Sequence, residues 1–101
     1  MEITTQLDGK SAVVILNGDL DVNSSAAVEN TVKKLLGDKD GVIIDIAGVP
    51  FADSSGLGGL ISAYKKAKEL GKEIRLRHPT PVVLEILTIT RMRRFFPIDE
   101  A

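Results

Sequence analysis

The sequence predicts an α/β fold: one sandwich-like domain with a mixed sheet of four to five strands and three to four helices that cover one of its faces. Three observations lead to this prediction. A chain of 101 residues has room for one hydrophobic core. It opens on two short apolar segments that flank an Asp-Gly turn, and helix and strand patterns then alternate to its end. We therefore treat residues 1–101 as a single domain.

The first two strands are predicted at residues 3–7 and 12–16, on either side of Asp8-Gly9-Lys10. Asp-Gly favours the positive φ angles of a tight hairpin turn, so the sheet should begin with an antiparallel pair. A first helix is predicted over about 23–36, because apolar residues recur there at helical spacing. The candidate N-caps of this helix are Asn23, Ser24 and Ser25.

The second half of the chain repeats the alternation of strand and helix. Residues 41–46 form a nearly continuous run of β-branched residues, which is typical of a strand buried on both faces at the centre of a sheet. An apolar stripe of helical period predicts a second helix over 54–70, and residues 73–77 read as a short strand. A threonine followed by proline predicts a third helix over about 81–90.

Composition excludes several classes of function. Lys and Arg total 13 against 14 Asp and Glu, and this balance gives no overall field to attract nucleic acid. The chain has no cysteine and one histidine, His78, which we expect to be a solvated loop residue, so no metal site or cofactor is expected. No apolar run approaches about 18 residues and no signal-peptide pattern is present, so we expect a cytoplasmic protein without membrane insertion.

The stretch ADSSGLGG, residues 52–59, does not match the common catalytic or nucleotide-binding motifs. A nucleophile elbow needs glycine two positions before the serine, where this chain has Ala52 and Asp53. The phosphate loop and the dinucleotide fingerprint also fail, because their lysine or third glycine is missing. We therefore expect a protein that is not an enzyme. A plain helix start, capped by Asp53 or Ser54, is the simplest interpretation.

Helical phase separates the two serines. At about 100° per residue, Ser54 lies about 80° from the centre of the apolar stripe and Ser55 about 180° from it. Gly59 and Ser62 follow Ser55 on the same outer row, so we expect a surface with few side chains that a large partner can approach. A regulated docking surface, a structural helix start and a small catalytic or ligand site all remain open on these grounds.

The N-terminus of the second predicted helix would tolerate a phosphate on Ser55. A helix N-terminus carries unpaired N–H groups and a partial positive charge. Phosphoserine adds about −1.5 to −2 charges, and beside Asp19, Asp21 and Asp53 this would strongly change an already acidic surface. The modification would therefore repel a partner and leave the fold intact.

Residues 51–60, FADSSGLGGL, closely resemble the signature of the STAS domain, in particular that of bacterial anti-sigma factor antagonists. Other segments fall in the family's order: residues 16–21 resemble the stretch after the second strand, 42–48 the central strand, and 81–98 the last helix with its closing segment. The resemblance covers nearly the whole chain and implies a STAS-like sandwich. One departure concerns a further C-terminal helix that many relatives carry, which we expect to be absent or truncated here.

The resemblance implies a partner switch without a cofactor of its own. The unphosphorylated antagonist would bind an anti-sigma factor that is also a serine kinase and so release a sigma factor. The kinase, which brings ATP and Mg²⁺, would modify Ser55, and a metal-dependent serine phosphatase would reverse the reaction. We expect a monomer with a partner-binding surface that comprises Asp19, Asp21, Asp53, Ser54, Gly56, Leu57 and Gly58.

Two other functions stay open at this point. One is a STAS scaffold subunit of a membrane transport complex, in which the Ser-Ser-Gly stretch serves fixed docking. The other is a small enzyme or nucleotide binder, for which the chain lacks a general-base constellation and a phosphate loop.

Overall fold

The computed structural model describes residues 1–99 and confirms the predicted fold class. Each predicted strand and helix is present, with ends that move by no more than two residues. A short fifth strand and a 3₁₀ helix complete the chain. The elements are β1 Glu2–Asp8, β2 Ser11–Asn17, α1 Val22–Asp38, β3 Gly41–Gly48, α2 Ser54–Leu70, β4 Glu73–Arg77, α3 Pro81–Ile89, the 3₁₀ helix Met92–Phe95 and β5 Ile98–Asp99.

The five strands form one sheet in the order β1-β2-β3-β4-β5. The pair β1 and β2 is antiparallel, and every other neighbouring pair is parallel. Gly9 has a φ of +62° in the two-residue turn between β1 and β2, as the Asp-Gly pattern predicts. The predicted mixed sheet with an antiparallel start is therefore confirmed.

The core is built from aliphatic side chains on one face of the sheet and the inner stripes of the helices. Val14, Ile44 and Leu76 from three successive strands are fully buried, whereas Ile15, Ile43 and Arg75 on the other face are half-buried. Each fully buried Val, Leu or Ile contributes about 1.5–3 kcal/mol relative to an exposed position. The helix residues that close this core include Val28, Val32, Leu36, Leu57, Leu60, Ala63 and Leu87.

The parallel topology brings the functional candidates to one edge of the sheet. Strands β2, β3 and β4 run in the same direction, so their carboxyl ends and the N-termini of the helices that follow them lie together. We call the three loops there, residues 18–21, 49–53 and 78–80, the carboxyl edge. Such edges are where open α/β sheets commonly carry their binding sites.

Hydrogen bonds join these three loops. The amide of Leu20 donates to the carbonyl of Phe51 at 3.0 Å, and the amide of Asp53 donates back to the carbonyl of Leu20 at 3.1 Å. The hydroxyl of Thr80, which caps α3 as predicted, donates to the carbonyl of Val49 at 3.0 Å. The carboxyl edge is thus held as one unit.

Two further expectations concern the membrane and the C-terminus. Among residues 1–99, no helix combines the length and the apolar character that a membrane crossing needs. The expected loss of a C-terminal helix concerns the chain after Asp99, which lies outside the described residues.

Candidate functional site

Asp53 caps the helix that carries the two serines. Its backbone is extended (φ −122°, ψ 178°) and its Oδ1 accepts a hydrogen bond from the amide of Gly56 at 2.9 Å. Ser54 is already the first helical residue, and its hydroxyl makes no hydrogen bond within residues 1–99. Of the two predicted cap candidates, Asp53 is therefore confirmed and Ser54 is not the cap, because the side chain of Asp53 already satisfies the free amide.

Ser55 lies on the first turn of α2 and is exposed to solvent. Like Ser54, it makes no side-chain hydrogen bond to the rest of the described chain. Both serines are exposed, so exposure alone does not choose between them. A hydroxyl in this setting can be modified without breaking an internal contact.

The glycines of the stretch are needed mainly by internal packing. A Cβ at Gly56 would lie 1.9 Å from the carbonyl oxygen of Leu20, and one at Gly59 would lie 2.5 Å from that of Ser25. Neither position tolerates a side chain without movement of the neighbouring backbone. At Gly58, in contrast, a Cβ would meet nothing within 4 Å.

The predicted bare outer row is therefore wrong beyond the first turn of α2. Gly59 is buried against α1, and the hydroxyl of Ser62 donates to Oε2 of Glu29 on α1 at 3.1 Å. Helical phase reports the direction of a residue relative to the apolar stripe, and it carries no information about a second helix alongside. The open surface is limited to Ser54, Ser55 and Gly58.

Two residues of the predicted partner-binding set are buried. Leu57 is 1% exposed and belongs to the core, and Gly56 contacts the loop before α1. A partner cannot touch either residue in this conformation. Their role here is to hold the start of α2 against the neighbouring loop, and they are not part of the surface considered below.

Asp21 caps the first helix. Its Oδ1 accepts from the amide of Asn23 at 2.9 Å, while the hydroxyl of Ser24 accepts from the amide of Asp21 at 3.1 Å. This reciprocal arrangement is a capping box, and the Asp-x-x-Ser spacing in the sequence is the signal that would have revealed it. The predicted caps Asn23, Ser24 and Ser25 are therefore wrong as caps, since the helix begins one residue earlier.

Two acidic residues belong to the loop that packs against the start of α2. Asp19 is exposed and Asp21 is half-buried, and together with Met1 and Ala27 they line an open depression of about 400 Å³ beside the start of α1. The backbone of Gly56, one residue after Ser55, lies against the backbone of Leu20 and Asp21. The acidic loop and the first turn of α2 are thus packed against each other through Gly56.

Three exposed apolar side chains of this edge were not singled out from the sequence. Val22 is 71% exposed at the start of α1, Phe51 is 45% exposed before α2, and Val82 is 49% exposed at the start of α3. Val22 is the first residue of α1 and Val82 the second residue of α3, whereas Phe51 lies outside a helix, so the sequence offers no common signal for the three. Here all three face solvent.

A second cluster of charged groups lies on the open face of the sheet, away from the serines. Arg77 Nη2 is 3.1 Å and His78 Nδ1 is 3.5 Å from Oδ2 of Asp45. Burial tends to raise the pKa of Asp45, but hydrogen bonds from the amide of Ala47 and from Arg77 outweigh it and hold that pKa below its usual value. His78 is an exposed loop residue, as expected, although it also contacts a carboxylate.

Comparison with known proteins identifies the family. A family model described as "Mlab, STAS domain" matches residues 3–97. The chain belongs to the STAS domain family. This agrees with the resemblance of residues 51–60 and with the order of the other segments.

One relative and two solved structures show what the chain is similar to. An anti-sigma F factor antagonist from Paenibacillus polymyxa is 26% identical over 88 residues, which cover 85% of this chain and 75% of that protein. The phosphorylated form of the Bacillus cell fate determinant SpoIIAA is similar with a TM-score of 0.74 at 16% identity, covering 96% of this chain and 90% of that one.

A sulfate transporter family protein from Wolinella succinogenes is similar with a TM-score of 0.81 at 11% identity, covering 94% of this chain and 80% of that one. At such identities the two structures support the fold alone. The function has to be argued from the residues of the site.

Proposed function

We propose that this chain is an anti-sigma factor antagonist whose binding to an anti-sigma factor serine kinase is controlled by phosphorylation of Ser55. One observation carries the proposal: the Ser55 hydroxyl is exposed on the first turn of α2, while Asp53 already serves as the cap. The site can therefore gain a phosphate without loss of the helix start.

Local electrostatics favour a binding switch over an unfolding switch. The first turn of a helix tolerates an anion, because its free N–H groups and macrodipole stabilise negative charge by about 0.3–1 kcal/mol at an exposed site. The loop that carries Asp19 and Asp21 packs against Gly56, the residue after Ser55. About two added negative charges and a bulky group on the same surface would then oppose docking.

The choice of Ser55 over Ser54 has two supports. The STAS resemblance places the modified residue second in the serine pair, and Ser54 directly follows the carboxylate of Asp53 in the chain. A phosphate on Ser54 would be closer to that like charge and would compete for the capped amide of Gly56. Ser55 lies one residue further along the chain from that carboxylate.

In the proposed cycle the unmodified protein binds the kinase and releases a sigma factor. The kinase supplies ATP and Mg²⁺ and transfers a phosphoryl group to the Ser55 oxygen, which ends binding. A serine phosphatase restores the hydroxyl. The surface offered to the kinase comprises Asp19, Asp21, Asp53, Ser54 and Gly58, with the apolar side chains of Val22 and Phe51 beside them.

The test is phosphorylation of the purified protein by the serine kinases of its own cell, followed by mass mapping of the phosphate. We expect modification at Ser55, its loss in Ser55→Ala and its retention in Ser54→Ala. Ser55→Asp should weaken kinase binding at least about tenfold, or about 1.4 kcal/mol, with an unchanged melting temperature. Phosphate found at Ser54 and not at Ser55 would refute the assignment.

The second candidate is a STAS scaffold subunit of a membrane transport complex. The likeness to the sulfate transporter family protein and the exposed apolar groups Val22, Phe51 and Val82 favour a docking role that needs no modification. Under this alternative Phe51→Ala would weaken assembly with the transporter, whereas Ser55→Ala would leave assembly unchanged. Stable co-purification with a membrane complex in the absence of any kinase would favour it.

A further inference from the structure

A crevice of about 480 Å³ lies at the opposite end of α2 from Ser55. It opens between the C-terminal half of α2, the start of β4 and the segment that follows α3. Ser55 and Lys68 are 13 residues apart on one helix, so the two sites are separated by roughly 20 Å. The residues that matter in its lining are Tyr64, Lys68, Lys72, Arg94, Phe95 and Phe96.

The floor of the crevice is aromatic and fixed in place. The ring of Tyr64 lies 5.6 Å from that of Phe95 and 5.5 Å from that of Phe96, with interplanar angles of 57° and 62°. Ala67 and Ile74, which are 1% and 3% exposed, belong to the core against which these rings pack. Tilted and edge-to-face pairs at this spacing are favourable, so the rings form a preformed floor.

Cationic groups stand over this floor. Lys68 Nζ lies 5.8 Å from the centroid of Tyr64, and Arg94 Cζ lies 5.1 Å from the centroid of Phe95. The ammonium group of Lys72 is held by a hydrogen bond to the carbonyl of Leu36. Within residues 1–99, none of these three cations forms an ion pair.

The crevice therefore carries an uncompensated positive charge in a protein whose formal net charge is −1. Glu73 is the single acidic residue among its described lining residues, and its carboxylate pairs with Arg75 at 3.2 Å. Lys72 is already held by the last turn of α1, whereas Lys68 and Arg94 stand over neighbouring rings, so an anion between these two would compensate both charges.

We propose that this crevice is a binding site for a small amphiphilic anion, an acidic head group on an apolar body. The head group, a carboxylate, sulfonate or phosphate, lies between Lys68 and Arg94, and the body contacts the half-buried rings of Tyr64 and Phe95. The volume falls in the range of about 300–1,000 Å³ that small-molecule sites occupy. The site is independent of the proposed switch, which lies at the other end of the helix.

The experiment uses 8-anilinonaphthalene-1-sulfonate as the probe, followed by its fluorescence and by ¹⁵N–¹H chemical shifts of the whole chain. We expect saturable binding with shifts confined to the amides around Lys68, Ile74 and Phe96, and none around Ser55. Shifts that are scattered, or that concentrate at the carboxyl edge, would overturn the proposal.

Matched charge variants test the role of the cations. The double variant Lys68→Gln/Arg94→Gln should weaken binding at least about tenfold. The control Lys65→Gln/Arg91→Gln removes the same charge from exposed residues outside the lining and should bind like the parent. Circular dichroism confirms that each variant is folded. Equal affinity of the two double variants would sink the assignment.

Competition identifies the body of the ligand. Displacement of the probe by decanoate or by 2-naphthoate supports the site, and the better competitor shows whether the body is aliphatic or aromatic. Displacement by neither acid, or equal displacement by neutral decanol, contradicts it, since the head group would then contribute nothing.

Discussion

The two ends of α2 differ in what defines their surfaces. At the N-terminal end Gly56 and Gly59 bring the helix against the backbone of its neighbours, and Ser54 and Ser55 are left exposed beside acidic loops. At the C-terminal end large aromatic and basic side chains enclose a crevice. Close backbone packing with no room for a Cβ defines the N-terminal end, and contacts between large side chains define the C-terminal end. Added volume should therefore destabilise the first, and removed volume the second.

The largest expected effect comes from added volume at the N-terminal end. Gly56→Ala places a Cβ 1.9 Å from the carbonyl oxygen of Leu20, so we expect it to lower the free energy of unfolding by at least about 3 kcal/mol in urea denaturation. Gly58→Ala, which meets open space, should instead gain up to about 1 kcal/mol from the better helix propensity of alanine. Equal effects of the two substitutions would contradict the packing explanation.

Removal of volume should matter most at the C-terminal end. Tyr64→Ala eliminates two ring contacts from a half-buried position and should lower the free energy of unfolding by about 2 kcal/mol. Lys65→Ala, the next residue and exposed, should stay within about 0.5 kcal/mol of the parent. Thermal and urea unfolding monitored by circular dichroism measure both. A Tyr64 variant as stable as the parent would show that the aromatic floor does not support the fold.

The cap at the N-terminal end should have a smaller effect. Asp53→Ala leaves the amide of Gly56 without its acceptor and should cost about 1 kcal/mol of folding free energy. Asp53→Asn keeps a side-chain oxygen and should lower the folding free energy by only about a few tenths of a kcal/mol. If the asparagine variant were as unstable as the alanine variant, the cap would not be the reason for the aspartate.

The smallest effect is expected at the middle of α2, where Ser62 and Lys33 both contact Glu29. Hydrogen bonds from Lys33 and then from Ser62 hold the pKa of Glu29 below its usual value. A lowered folded-state pKa stabilises the protein above the unfolded pKa of about 4.3, and this stabilisation is lost as the pH falls through the folded-state value. Ser62→Ala should thus cost a few tenths of a kcal/mol at pH 7 and nothing near pH 2. A difference that persists at low pH would point to lost packing.

Local patterns predicted the elements well because each is specified by residues close in the chain. The apolar stripe of 54–70 gave α2 its observed bounds, and Thr80-Pro81 marked the start of α3. The caps were less well predicted. Asn23, Ser24 and Ser25 offered equivalent candidates, but the cap is Asp21, and its Asp-x-x-Ser spacing with Ser24 was the signal in the sequence.

The candidate site was predicted in part. Ser55 is exposed, as its phase indicated, and so are Asp19 and Gly58. Leu57 and Gly56 lie inside because the loop before α1 runs across the start of α2, a contact between residues more than 30 positions apart. The basic crevice was also invisible, since Tyr64 and Phe96 come together only when the end of the chain returns beside β4.

The sequence by itself determined the alternation of strands and helices, the hairpin turn and the hydroxyl that begins α2, because periodicity, capping and turn chemistry act over a few residues. The tertiary structure alone decided which neighbour each helix face meets. It assigned Gly56 and Gly59 to close backbone contact and Gly58 to solvent, and it gathered the cations of two distant segments around one aromatic floor. Contacts between segments far apart in the chain depend on the order and direction of strands in the sheet, and no short stretch of residues encodes them.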